Sequence, residues 1–138
     1  MDKAKQPGIY FNGIILVGEE FWRNYEVPDD SSVEFVVKLG NESSGTNHSV
    51  ELHSNLKLVK DGKETLRLTS KFIGFFSIIK GEENMDIKEY VRCNAPALMF
   101  PYVREHISSI TGKSGINPVY LPPLNIKALL NGKSHQKS

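Results

Sequence analysis

The chain has 138 residues, with 17 basic and 16 acidic side chains spread along its length and a net charge of +1. That length suits a single domain, residues 1–138, whose core covers roughly two thirds of the surface exposed by the unfolded chain, and the near-neutral balance excludes the basic footprint of a nucleic-acid binder. Cys93 is the sole cysteine, so an intramolecular disulfide and a thiolate metal cluster are both excluded, and a reduced, cytoplasmic setting is expected.

The polar start, Met1 to Pro7, is not followed by an uninterrupted apolar stretch ending in small residues, and no run of about 18 apolar residues offers a membrane span. Residues 9–17, IYFNGIILV, are β-branched and aromatic and read as a first strand ending at Gly18. The next stretch, FWRNYEVPDDSS, holds Phe21, Trp22 and Tyr25 but has neither a period of two nor one of 3.6. It reads as a long connection carrying apolar weight. Its rings either plug the edge of the core or line a groove, because aromatic side chains are what sticky surfaces use.

Val33, Phe35, Val37 and Leu39 alternate with Glu34, Val36 and Lys38 in a second strand, and Gly40 to Asn47 reads as a loop. In the third strand Val50, Leu52, Leu56 and Leu58 take one face and Glu51, His53, Asn55 and Lys57 the other. Asp61-Gly62 then signals a tight hairpin, since both central residues of a type I′ turn need positive φ. In the fourth strand, residues 64–79, one face carries Leu66, Leu68, Phe72, Phe76 and Ile78. The other changes from Thr65, Arg67, Thr69 and Lys71 to Ile73, Phe75 and Ile79, so a loop, a partner or a ligand is expected to cover its drier end. Gly74 suggests a bulge or a close approach of another backbone.

Asp86 to Arg92 reads as a short turn leading into the main helix. Asn94 and Pro96 supply start signals, and Gly112, Lys113 and Gly115 supply stop signals. Met99, Phe100, Val103, Ile107 and Ile110 recur at intervals of three and four as one apolar stripe. Pro101 interrupts this pattern, so an irregular first turn is expected there. Three prolines keep residues 116–123 extended, and Asn125 can cap a short last helix with Ile126, Leu129 and Leu130. Residues 1–8 and 131–138 are expected to be flexible.

Reactive constellations are sparse. His48 and His53 fall on opposite strand faces and cannot form a ligand pair, and His106 points away from its neighbour Glu105. Cys93 and His106 are the only conceivable nucleophile and base, without an orienting third group or an oxyanion turn. No phosphate loop, dinucleotide fingerprint or paired-carboxylate motif occurs. A binding module fits this pattern better than an enzyme.

Two stretches carry a family resemblance. Phe72-Ile73-Gly74-Phe75-Phe76-Ser77-Ile78 resembles the strand ending in G-x-F-S-I of SecB, the protein-export chaperone family. Asn94 to Arg104 with Glu105 resembles its helix motif C-P-x-x-L-F-P-Y-x-R-E, here with the cysteine displaced as Cys93-Asn94-Ala95-Pro96. Gly115 to Leu130 is similar to its segment G-x-x-P-x-x-L-x-P-V-N-F, through Gly115, Pro118, Leu121, Pro123, Asn125 and Ile126. The likeness is good from about residue 71 to 130 and only topological before that.

The resemblance implies an α+β fold: a four-stranded antiparallel sheet packed by one long helix and a short C-terminal helix. It implies a homo-oligomer, a dimer of dimers, with Met99, Tyr102, Val103, His106 and Ile110 of the helix at the interface. It implies an ATP-independent holdase with no metal or cofactor, whose hydrophobic groove here comprises Phe21, Trp22, Tyr25, Phe75, Tyr120, Leu121, Leu124 and Leu129. The implied partners are unfolded or pre-secretory polypeptides, with SecA in export or an antitoxin in SecB-like chaperones of toxin–antitoxin modules. The chain departs from the acidic export members by its neutral balance, by Thr65, Arg67, Thr69 and Lys71 on the wet face of strand four, and by its short basic tail.

Overall fold

Alternation with a period of two builds the sheet, and each strand pairs with its neighbour in reverse direction. The computed structural model describes residues 9–44, 47–78 and 87–121. Its elements are β1 (Ile9–Arg23), β2 (Ser32–Ser44), β3 (Asn47–Lys60), β4 (Lys63–Ile78) and α1 (Ile87–Lys113). The four strands form one antiparallel sheet in the order β1-β4-β3-β2, so β1 and β2 are its edges. The two central strands bury Val50, Leu52, Leu56 and Leu58 of β3 and Leu66, Leu68, Phe72 and Phe76 of β4 on one face, with Phe35 and Val37 of β2 beside them. Asp61 (φ 54°) and Gly62 (φ 79°) both take the left-handed region in the β3–β4 hairpin, as the dipeptide predicts.

β1 is longer than expected. It continues through Phe21 and Trp22 to Arg23, pairing Phe21 with Leu68 and Trp22 with Arg67 of β4. The expected connection is therefore strand. Its pattern is obscured by two register shifts, between Phe11 and Gly13 and between Leu16 and Gly18, where an inserted residue breaks the alternation. The loop expected at 40–47 is likewise mostly ladder, with Gly40 opposite Glu51 and Ser44 opposite Asn47. Pairing overrides the weak strand propensity of Gly, Asn and Ser there.

α1 lies on the apolar face of the sheet. Ala95, Met99, Phe100, Val103 and Ile107 form its buried stripe. Its start differs from expectation, because the helix begins at Ile87 and Asn94 lies inside it rather than capping it. Pro96 and Pro101 are both accommodated within one helix. Met99 seats over Gly74, where an added Cβ would stand 2.8 Å from Sδ and 3.1 Å from both Cγ and Cε. The close approach expected at Gly74 is thus to a helix side chain, and the neighbouring bulge belongs to β1. Rings extend the contact on both sides, with Phe100 at 6.0 Å from Phe35 and Tyr102 at 6.0 Å from Phe11.

The helix stops through Gly115 (φ 93°), whose N–H donates to the carbonyl of Gly112 at 3.1 Å. Gly112 plays another part than the expected left-handed one. It lets Pro118 approach, since a Cβ there would meet Pro118 Cγ at 3.1 Å. The fully buried Thr111 hydroxyl donates to the carbonyl of Ile107 and accepts from the Val119 N–H, both at 2.8 Å, which ties the returning segment to α1. The expected C-terminal helix, Leu124, Leu129 and the two terminal tails lie outside the described residues.

Met99 is fully buried, so it has no free volume into which to retreat from a larger residue at position 74. Gly74→Ala is expected to destabilise the fold by about 1–3 kcal/mol, the usual cost of overpacking. In a Met99→Ala background that added cost should disappear, as read by a double-mutant cycle of denaturant unfolding.

Candidate functional site

Because α1 occupies the middle of one sheet face, the apolar surface left over lies along β1, at Phe75 of β4, on the outer side of α1 at Leu98 and Tyr102, and beyond the C-terminal end of the helix. Ile15, Leu16, Val17 and Trp22 of β1 are each between 43% and 48% exposed. The strand register separates them. Phe21, opposite Leu68, faces the helix side, whereas Trp22, opposite Arg67, faces the outer side. Phe75 also faces outward, beside Gly13 of β1 and Ser49 of β3, and Ile15 lies opposite Ile73 on the same face. Trp22 stands nine residues along β1 from Gly13, roughly 30 Å away, so Trp22 and Phe75 do not share one contiguous patch. The drier outer end of β4 remains open among the described residues, with Phe75 39% exposed.

Tyr25, just beyond β1, is 94% exposed, and Tyr120, beyond α1, is 75% exposed. Arg23 brings their segments together. Its Nη1 donates to the carbonyl of Ser114, Nη2 to that of Tyr25 at 2.5 Å, and Nε to that of Asn24 at 2.8 Å. Leu121 is buried. A pocket of about 200 Å³ lies between α1 and this returning segment, lined by Pro101, Arg104, Glu105, Ser108, Tyr120 and Leu121. Sequence reasoning missed Arg23 and Thr111, because neither belongs to an apolar pattern.

The helix residues expected at an oligomer interface divide into two groups. Met99 and Val103 have no exposed surface, since the chain's own sheet covers them, and this corrects their placement against a second copy. Tyr102 is 49% exposed, and Ile110 is partly buried against the core. His106 is largely enclosed, packs edge-on to Phe72 at 5.6 Å, and its Nε2 lies 2.6 Å from Glu19 Oε1 of β1. His106 thus has a carboxylate partner that the sequence did not reveal.

The outer face forms a shallow concavity of about 690 Å³, lined by Lys38, His53, Asn55, Lys57, Thr69 and Lys71, among others. Its charges are largely paired internally. Glu64 meets Arg67 at 2.7 Å and Lys57 at 3.6 Å, and Glu51 meets His53 at 3.2 Å and Lys71 at 3.7 Å. The hydrogen bond from His53, followed by the charge of Lys71, holds the Glu51 carboxyl below its usual range. Thr65 is not on this wet face. It is buried, and its hydroxyl donates to the carbonyl of Leu58 at 3.1 Å. His48 is buried on the helix side while His53 points outward, so they share no site. Among the described residues no group of His, Cys, Asp and Glu could hold a metal ion, and no helix is long and apolar enough to cross a membrane.

The sheet thus has one face closed by a helix and apolar side chains exposed along an edge strand. The model of the family described as preprotein translocase subunit SecB matches residues 20–137. An uncharacterized protein of Methanocaldococcus jannaschii is 31% identical over 138 residues, covering 94% of this chain and 87% of that protein. The protein-export protein SecB of Magnetococcus marinus is 27% identical over 117 residues, covering 83% of this chain and 74% of that one. The fold matches, with a TM-score of 0.73, a SecB-like chaperone of Mycobacterium tuberculosis solved in complex with a ChAD peptide from the HigA1 antitoxin. That match is 14% identical and covers 85% of this chain and 91% of that one. The chain belongs to the SecB family, whose members are chaperones and not enzymes.

Two measurements check the electrostatics. His106→Ala and Glu19→Ala should each loosen α1 from β1, with a coupling of about 1 kcal/mol in a double-mutant cycle. The lowered carboxyl of Glu51 stabilises the fold above the ordinary carboxylate range, and this contribution is lost as pH falls through its lowered value. Glu51→Gln should therefore lose less stability than the parent chain on acidification through that range, as followed by thermal melts.

Proposed function

We propose that this chain is an ATP-independent holdase of the cytoplasm that keeps unfolded polypeptides from aggregating by taking their apolar segments onto exposed aromatic and aliphatic side chains. The observation that carries this reading is the unusual apolar exposure at Trp22, Tyr25, Phe75 and Tyr120 in a member of a chaperone family. A core has no use for side chains left in water, whereas a client segment recovers about 1.5–3 kcal/mol for each one that it covers. Phe21 and Leu121 support the proposed client surface from the helix side, and Leu124 and Leu129, outside the described residues, are proposed as further client contacts. Several weak contacts on one client give retention through avidity while each contact exchanges quickly.

The family's export role supports pre-secretory chains as clients. A second reading, a chaperone dedicated to one antitoxin, is favoured by the mycobacterial structural relative, whose bound peptide comes from an antitoxin. The internally paired charges of the outer face also offer little to a partner that selects strongly acidic surfaces, which weighs against SecA. Oligomerisation, as a dimer or a dimer of dimers, would use the exposed side of α1 at Tyr102, with His106 and Ile110 beside it, and the open hydrogen-bonding edge of β1.

The purified chain is expected to suppress aggregation of an unrelated unfolded protein, and its solution mass is expected to exceed that of one chain and to rise further with the client. Poor activity on generic clients with tight binding of one antitoxin would select the second reading. Trp22→Ala and Leu124→Ala should weaken client binding while leaving the assembly intact. A stable monomer that ignores unfolded clients would sink both readings.

A further inference from the structure

We propose that Arg23 is a positioning residue that sets the spacing between two walls of the client site, the one carrying Tyr25 and the one carrying Tyr120. The inference rests on the reading of these two tyrosines as client contacts. Arg23 is the last residue of β1 and lies opposite Leu66 on the helix-facing side. Its guanidinium donates to three backbone carbonyls, those of Asn24 and Tyr25 on one segment and that of Ser114 on the other. Among the described residues no carboxylate pairs with it. A guanidinium is a planar fork with fixed donor directions, so three carbonyls on one fork hold two chain segments at one separation, which a point-like ammonium cannot do. Ser114 directly follows the last residue of α1, so the positive charge also meets the negative end of the helix.

Each segment is also anchored by contacts other than the fork. The Asn24 N–H donates to the carbonyl of Thr65 at 2.9 Å, and Val27 packs against the core. On the other segment the Val119 N–H is held by Thr111, with Ile116 and Val119 also against the core. Neighbouring each set of anchors is one tyrosine whose ring is mostly in water. The backbone beneath each ring is fixed while the ring is free, so an apolar segment can bind at little ordering cost in the protein. Two such rings at a fixed separation act as linked weak sites, and the second contact forms at a high effective concentration once the first is made. Without Arg23 the direct tie between the two segments is lost and each keeps only its own anchors to the core, so their separation is held less tightly and this advantage falls while each single contact survives.

The test compares two fluorescent apolar peptides, a short one with a single aromatic residue and a longer one with two, bound to the full chain in its native assembly. The parent chain should prefer the long peptide by on the order of a hundredfold. Arg23→Ala should reduce that preference roughly tenfold while leaving the short peptide's affinity unchanged. Arg23→Lys, which restores one donor but not the fork, should fall between them. Hydrogen exchange should quicken in residues 24–27 and 114–121 of Arg23→Ala but not in β3. If Arg23→Ala keeps the full preference while Tyr25→Ala and Tyr120→Ala abolish it, the proposal is overturned and the client reading stands. If both tyrosine variants leave the preference intact, the client reading of these residues fails, and the proposal with it. Equal weakening of both peptides, with faster exchange throughout the sheet, would assign Arg23 to stability alone and also overturn the proposal.

Discussion

The seating of Met99 over Gly74 is the contact on which the rest of the molecule depends. A helix can approach a sheet this closely only where a strand residue lacks a side chain, and the missing Cβ at position 74 makes the notch that a thioether fills. With that point fixed, the remaining ties of α1 fall into place along its length. Phe100 reaches Phe35 of β2, His106 reaches Glu19 of β1, and Thr111 holds the returning chain. The helix thereby uses up the apolar centre of the sheet, and the surface available for binding is displaced to the edge strand and to the chain beyond the helix.

That displacement shapes the electrostatics as well. The outer face of the sheet is polar but not strongly signed, because Glu64 and Glu51 each serve two cationic neighbours. Exposed pairs of this kind contribute little to stability and are screened by salt. They do remove the long-range field that would steer a charged partner. Under the proposed function, recognition would then fall to the apolar side chains.

Much of this was legible in the residues. The alternation in β3 and the Asp61-Gly62 turn gave the hairpin, since each is a local rule obeyed without competition, and Gly74 signalled a close approach without saying that a helix side chain makes it. The stripe of α1 was legible too, but not its destination. A sequence of apolar residues at helical spacing does not say whether a sheet or a second copy will cover it, and Met99 and Val103 proved to be covered by the sheet. Asn94 carried a capping signal that tertiary context overrode, because the helix extends a further seven residues toward Ile87. The residues proposed to face a client were legible as types but not as a constellation. Phe21 and Trp22 are adjacent in sequence and lie on opposite faces, and Arg23 acts through backbone carbonyls that no side-chain pattern encodes.

The two bulges in β1 have a consequence for how this strand can change over time. Each inserted residue inverts which side chains point toward the helix, so the first one exchanges the faces and the second restores them. Ile14 and Leu16, between the bulges, face the helix because of the first inversion alone, and Glu19, Phe21 and Arg23, beyond them, because the two inversions cancel. Straightening one bulge with its residue kept would turn Glu19 away from His106 and Arg23 away from Ser114 in a single step, whereas deleting the inserted residue would leave the pairing on both flanks unchanged. β1 should therefore tolerate loss of a residue at its bulges and reject one within its regularly paired stretches, although it is an edge strand exposed to water.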